Sequence, residues 1–441
     1  MTHTQRRPGR LFLASAAPLV LAGLLTGSGA ALAGTAPAAG SAAPAASDTA
    51  VAAVGSVPAA SGPASATTAT AATKAATPTG HAKAACPGWA VMRVAGPGAM
   101  TDDFFGVAVL SPSNVWAVGD YSGLDGVFKT LVEHWNGHTW RVVPTPSPGA
   151  GSDYLSSVHA VSPASIWAVG DYSDQAGVFA PDKTLILHWN GRTWSRVPSP
   201  SPGRFIDSLN GVHTLSATNA WAVGFYTTSG GAPDRNLILH WNGRAWSQVA
   251  SSNPGSKADV LNGVQGIAAS NVWAVGLYEN GLFGLSLALH WNGHGWTKVA
   301  TPNPTGSSEL LGVDATSAAN AWAVGDDGKG ESVTLRWNGR TWTRVPSPDI
   351  LRGDDNILHS VAATSPTNAW AVGAANNLST GTAFELHWNG RKWTNMASPN
   401  PGANSSMDAV AATSASNAWA VGEYGLNPPA TTQRALAFHC T

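Results

Sequence analysis

Residues 219–249 read NAWAVGFYTTSGGAPDRNLILHWNGRAWSQV, and the chain repeats this pattern along most of its length. The tetrapeptide Trp-Ala-Val-Gly begins at Trp116, Trp167, Trp221, Trp273, Trp322, Trp370 and Trp419, so successive copies start 48 to 54 residues apart. A period near 50 belongs to propellers and solenoids, and the pattern inside it decides between them. Each copy holds four short runs, as in SVHAVS, IWAVG, TLILHW and TWSRV, separated by turn-forming residues and without a helical period. Four short strands make one propeller blade. The expectation is an all-β, seven-bladed β-propeller of four-stranded blades over residues 86–441.

All 20 tryptophans keep to this frame: seven in the tetrapeptide, six before Asn-Gly, and seven in the fourth run, counting Trp89. A large ring returning at one strand position in every repeat is read as packing between neighbouring blades, where each buries roughly 150–250 Å². The frame also explains the ends of the array. The segment CPGWAVMRVAGPG (86–98) has the character of a fourth strand, whereas the last copy stops after three, at His439-Cys440-Thr441. The N-terminal strand is therefore expected to complete the C-terminal blade and leave no open edge. Cys86 and Cys440 fall on either side of one tight turn of that composite blade, and a disulfide between them is expected; two free thiols, or a metal pair with His439, are the alternatives.

Upstream of the array, QRRPGR, the apolar LFLASAAPLVLAGLL and Ala31-Leu32-Ala33 read as an export signal over residues 1–33. The apolar run, broken by Pro18, is short for a membrane span of roughly 20 residues. Residues 34–85 form an Ala/Ser/Thr/Pro-rich tract without aromatics, expected to be a disordered spacer reaching on the order of 40 Å. The chain is thus read as secreted, extracellular or attached to the cell surface, a monomer, and not inserted in the membrane after cleavage. Its formal net charge of −1 becomes −4 once the leader's three arginines are removed, which leaves no overall electrostatic footprint for nucleic acid.

The run NAWAVGFY followed by NLILHWNGRAWSQVASSNPG resembles the kelch repeat, and the array as a whole is similar to secreted tryptophan-rich propellers of actinobacteria. The resemblance departs at the second glycine of the kelch pattern, where this chain has Asp120, Asp171, Phe225, Leu277, Asp326, Ala374 and Glu423. The Asn-Gly-Arg-Thr-Trp turn also resembles, more weakly, the Asp-box hairpin of sialidase-like propellers. Similarity to galactose oxidase would imply copper and a tyrosine–cysteine crosslink, but both cysteines belong to the seam. A sialidase would require an arginine cluster, which the scattered arginines do not supply. No cofactor and no metal are expected.

Loop length varies between the second and third strands, so recognition is expected on the face carrying those loops. The candidate ligand-binding residues there are Asp120, Tyr121, Asp171, Tyr172, Tyr226, Asp326, Glu423 and Tyr424 at the ends of second strands. Asn210, Asn262, His359 and Asp408 join them at the start of innermost strands. Tyrosines beside carboxylates and amides suit sugar rings, whose apolar faces stack while their hydroxyls need partners. The expected function is a non-catalytic binding module for an extracellular or cell-wall glycan or a surface protein. The alternatives are a glycoside hydrolase or lyase using carboxylates of this face, and a structural spacer domain. The six third-strand histidines sit on different blades, so they are read as hydrogen-bonding partners within blades and not as a shared metal site.

Overall fold

The computed structural model describes Cys86 and residues 88–440, apart from 176–180, 282, 304–305, 352–354, 377–380 and 427–431. The leader and spacer expected over residues 1–33 and 34–85 lie outside the described residues. Among the described residues the strands form seven four-stranded antiparallel sheets, each ordered as in the sequence except at the seam. Blade 1 is built from β2 (Thr101–Ser111), β3 (Asn114–Ser122), β4 (Phe128–Trp135) and β5 (Trp140–Val142). Blades 2 to 6 repeat it over residues 153–196, 206–248, 258–299, 309–344 and 355–396. Blade 7 takes three strands from residues 403–440 and its outermost strand from β1 (Ala90–Met92), which pairs Ala90 with His439 and Met92 with Ala437. The ring is closed as the repeat frame requires.

One glycine position shapes all seven blades and a second shapes six of them. A Cβ on the tetrapeptide glycine would lie 1.9–2.1 Å from a carbonyl oxygen of the innermost strand, as Gly119 would from Asp103. Only glycine allows that close approach, and the register slips next to it in each blade. The Asn-Gly glycine adopts φ of 90–94° at six turns, from Gly137 to Gly390. The preceding asparagine closes each turn by accepting the N–H groups two and three residues on; Asn190 Oδ1 takes those of Arg192 and Thr193 at 2.9 and 3.0 Å.

The core is divided into joints between blades. Six of the seven tetrapeptide tryptophans insert between two tryptophans of the following blade: Trp221 lies 5.1 Å from Trp291 and 5.3 Å from Trp296. The same contact recurs around the ring and crosses the seam, where Trp419 meets Trp135 and Trp140. One joint differs. Trp370 meets Trp89 at 5.4 Å, and Cys440 stands where the other blades have their second tryptophan. Cys440 is bonded to Cys86 with a Cα separation of 5.6 Å, and both are buried in the cluster around Trp370.

The third-strand histidines serve the same joints. Each stacks on the tetrapeptide tryptophan of its own blade at 4.0–4.5 Å, from His134 on Trp116 to His439 on Trp419. In five of them the outer nitrogen bonds to the asparagine that starts the second strand, as His290 does to Asn271 at 2.8 Å; His188 meets Ser165 instead. Burial holds all six below the ordinary imidazole range. Arg336 takes the position in blade 5, over Trp322 and bonded to Asn320.

Candidate functional site

Strand direction sorts the connections onto two faces. One carries two-residue turns, such as 112–113, and the Asn-Gly turns; Arg192, Arg244, Arg340 and Arg391 stand exposed at equivalent tips, and none of these turns holds an acid. The other carries the loops from second to third strand and those leading to the next blade. The innermost strands surround a cavity of about 320 Å³ on the ring axis. Each contributes a valine near mid-height, Val107 in blade 1 through Val410 in blade 7, so polar groups sit on either side of an apolar belt.

At the loop-rich end four of the sequence-predicted residues meet around the cavity: Asn210, Asn262, His359 and Asp408. Each reaches a neighbouring blade or a neighbouring residue of this end. Asn210 Nδ2 donates to the Leu261 carbonyl at 2.9 Å, and Asn262 Nδ2 donates to Leu310 O at 2.9 Å and to Glu309 Oε1 at 2.8 Å. His359 Nδ1 lies 3.0 Å from Asp408 Oδ1 and 3.0 Å from Met407 O. Burial pushes the His359 imidazole down, but the Asp408 hydrogen bond and charge, the Met407 carbonyl and the charge of Asp326 outweigh it and hold His359 above the ordinary range. Asp408 Oδ1 also accepts from Ser406 at 3.1 Å. Its Oδ2 is buried without a hydrogen-bond partner, as is Asn262 Oδ1.

The acids at second-strand ends are less open than the sequence implies. The second strand continues three residues past its glycine, Asn114–Ser122 in blade 1, so Asp120 and Tyr121 lie within the sheet, paired with Asp103 and Asp102. Asp120 and Asp171 are buried, and Asp171 Oδ1 accepts from Ser208 of the next blade at 2.8 Å. Asp326 caps the N–H of Gly328, and Glu423 Oε1 accepts from Gln433. The tyrosines do not form an open stacking platform. Tyr172 is buried under Arg196, whose guanidinium lies 4.3 Å from the ring centre. Tyr121, Tyr226 and Tyr424 pack against the joints between blades, and Lys298 lies over Tyr278 at 3.5 Å.

A repeated acid escaped the sequence reading. Asp102, Asp153, Asp207 and Asp259 each accept the N–H of a glycine four residues earlier, at 2.6–2.8 Å, and so fold the loop that leads from one blade into the next. Burial raises Asp102, Asp207 and Asp259 to about 6 against these hydrogen bonds. Their fixed Gly-x-x-x-Asp spacing was the signal available. Below the valine belt, side chains tie successive innermost strands: His159 Nδ1 accepts from Thr214 N at 3.2 Å, and Asp314 Oδ2 from Ala363 N at 2.6 Å. Burial drives His159 down to about 4 and Asp314 up to about 7. The His159 and His213 rings lie 4.1 Å apart, an approach suited to neutral imidazoles.

No family model matches the chain, and no curated protein matches it. Among solved structures, one of YCF48 bound to D1 peptide is 16% identical, covers 80% of this chain and 97% of its own, and superposes with a TM-score of 0.50. A chain of the mitotic checkpoint complex is 11% identical, covers 84% of this chain and 96% of its own, with a TM-score of 0.50. A fucose-specific lectin from Aleuria aurantia is 13% identical, covers 66% and 94%, and reaches 0.42. What the chain shares with the two neighbours at 0.50 is the β-propeller architecture, and its own sheets number seven among the described residues.

Proposed function

We propose that the chain is a secreted, non-catalytic binding module that recognises a protein outside the cell or on its surface through the loop-rich face. One observation carries the reading. Leu124, Phe283 and Leu426 are 85%, 63% and 44% exposed, and all three sit on loops between second and third strands of that face. Exposed apolar tips beside a polar depression suit a protein surface, which can bury them. The glycan reading leaned on tyrosines as stacking platforms; Tyr172 is buried, and Tyr121, Tyr226 and Tyr424 are half-buried against the blade joints, which favours a protein ligand over a stacked sugar. The seam disulfide fits the oxidising compartment to which an export signal at residues 1–33 would deliver the domain. YCF48 carries a bound peptide on the same architecture.

The test uses labelled mature chain and the cells that secrete it. Binding should be lost after protease treatment of the cells. It should also be lost when Leu124, Phe283 and Leu426 are all replaced by Asp, with the unfolding temperature of the propeller nearly unchanged, since exposed substitutions cost about 0.5 kcal/mol or less. Binding that survives protease but disappears after enzymatic removal of cell-wall glycan would replace the protein reading with the glycan one.

A further inference from the structure

We propose that the channel mouth on the loop-rich face is a pocket for one cationic side chain, an arginine above all, projecting from the bound protein. The inference rests on the protein-binding reading and adds the chemistry of the contact. At about 320 Å³ the cavity stands at the small end of ligand sites, enough for a side chain rather than a folded segment. Two acceptors on residues of its lining call for donors. Asp408 and Asn262 line the cavity, and Asp408 Oδ2 and Asn262 Oδ1 are buried with no hydrogen-bond partner, although the other polar atom of each side chain is engaged. A buried acceptor left in this way is costly, and an ordered donor from a partner recovers that cost on binding.

The sign of the missing donor follows from the surroundings. Glu309 and Asp326 pair across blade 5, Asp103 and Asp120 pair across blade 1, and Asp171 and Glu423 end second strands on the same side. Among the described residues lining the cavity there is no lysine or arginine. Carboxylates around a concave, low-dielectric mouth concentrate a field that draws cations. Asp408 and Asn262 belong to blades 7 and 4, on different sides of the channel. A guanidinium, with five N–H donors in a planar fork, can serve acceptors lying in several directions, whereas an anion would meet carboxylates.

The probe is N-acetyl-arginine amide, titrated into the folded chain with carbon-13-labelled histidines. The His359 ring signal should move in a saturable, salt-sensitive way. The citrulline analogue, of similar shape and uncharged, should bind roughly tenfold more weakly or worse. Asp408→Asn should abolish the arginine response. Because that change also touches His359, Asn262→Ala, on blade 4 and away from His359, provides a second variant, expected to weaken binding with the fold intact by circular dichroism. Equal binding of the citrulline analogue, binding of N-acetyl-glutamate in its place, or no response of His359 at millimolar ligand would overturn the assignment. The two readings fail separately. Cell binding that depends on Leu124, Phe283 and Leu426 but ignores both arginine amide and Asp408→Asn sinks the pocket alone, whereas protease-insensitive cell binding sinks the protein reading.

Discussion

Single residues show how a repeat frame misleads as well as guides. The pair Asp-Tyr after the tetrapeptide glycine looks like the first turn of a loop, because glycine followed by aspartate is turn chemistry. The glycine instead marks close approach of two strands, the strand runs on, and both side chains end inside or against the sheet. Asn210, Asn262, His359 and Asp408 were legible as a group because they share one register position on four blades. Their hydrogen bonds to neighbouring strands were not, since no one-dimensional spacing gives the offset between blades. Glu385 shows the cost of departing from the frame. It stands where other blades have Val132, Ile186 and Ile238, and it is buried with Ser398 donating to one oxygen. Burial raises its carboxyl to about 7, against the Ser398 bond. Between pH 4.5 and 7 the folded chain keeps a proton that the unfolded chain releases, so the stability tied to Glu385 falls as pH rises through that window. Replacing it with Ile should therefore stabilise the propeller at pH 8 by on the order of 3 kcal/mol relative to the effect at pH 4. Urea denaturation at both values checks this; an equal effect at the two would show that Glu385 does not titrate in the window.

At the scale of elements, strand number and order were readable because every blade repeats the same four runs. The partner of the N-terminal strand was readable because the last blade lacks one. The contents of the joints were half legible: tryptophan at three strand positions announced packing, but not that, in all blades but the sixth, one ring would enter between two of the next. That arrangement makes the joints nearly equivalent. Trp167, Trp221 and Trp273 each meet two tryptophans with ring centres 4.9–5.3 Å away. Alanine at any of the three should cost about 3–5 kcal/mol, and by similar amounts, because each leaves the same cavity. Denaturant unfolding of the three variants decides it. Costs below about 1 kcal/mol, within the range of ordinary surface changes, would show that the joints close over the loss.

Over the whole molecule, a formal charge near zero conceals an uneven placing of acids, although Lys183, Arg235 and Arg434 pair with acids at the loop-rich end. Arginines tip the Asn-Gly turns of one face, while Asp120, Asp171, Asp326, Asp408 and Glu423 gather at the loop-rich end of the other. Net charge alone therefore gave no hint of an acidic mouth, since it averages over a geometry that only folding creates. The seam has a different kind of consequence. Cys86 and Cys440 lie 354 residues apart in sequence, beside the two ends of the folded ring, and a covalent bond joins them. A pull applied between a point ahead of Cys86 and the C-terminus passes from one sulfur directly to the other, so the blades between them carry no load. The domain would act as a bead on a tether, able to stay folded under tension that would strip strands from an open ring. Stretched in this way, the oxidised chain should lengthen without any step from the propeller, and the reduced chain should release a further contour length of about 1,200 Å as its residues extend. Blade-sized steps from the oxidised chain would mean that the bond does not bear the force.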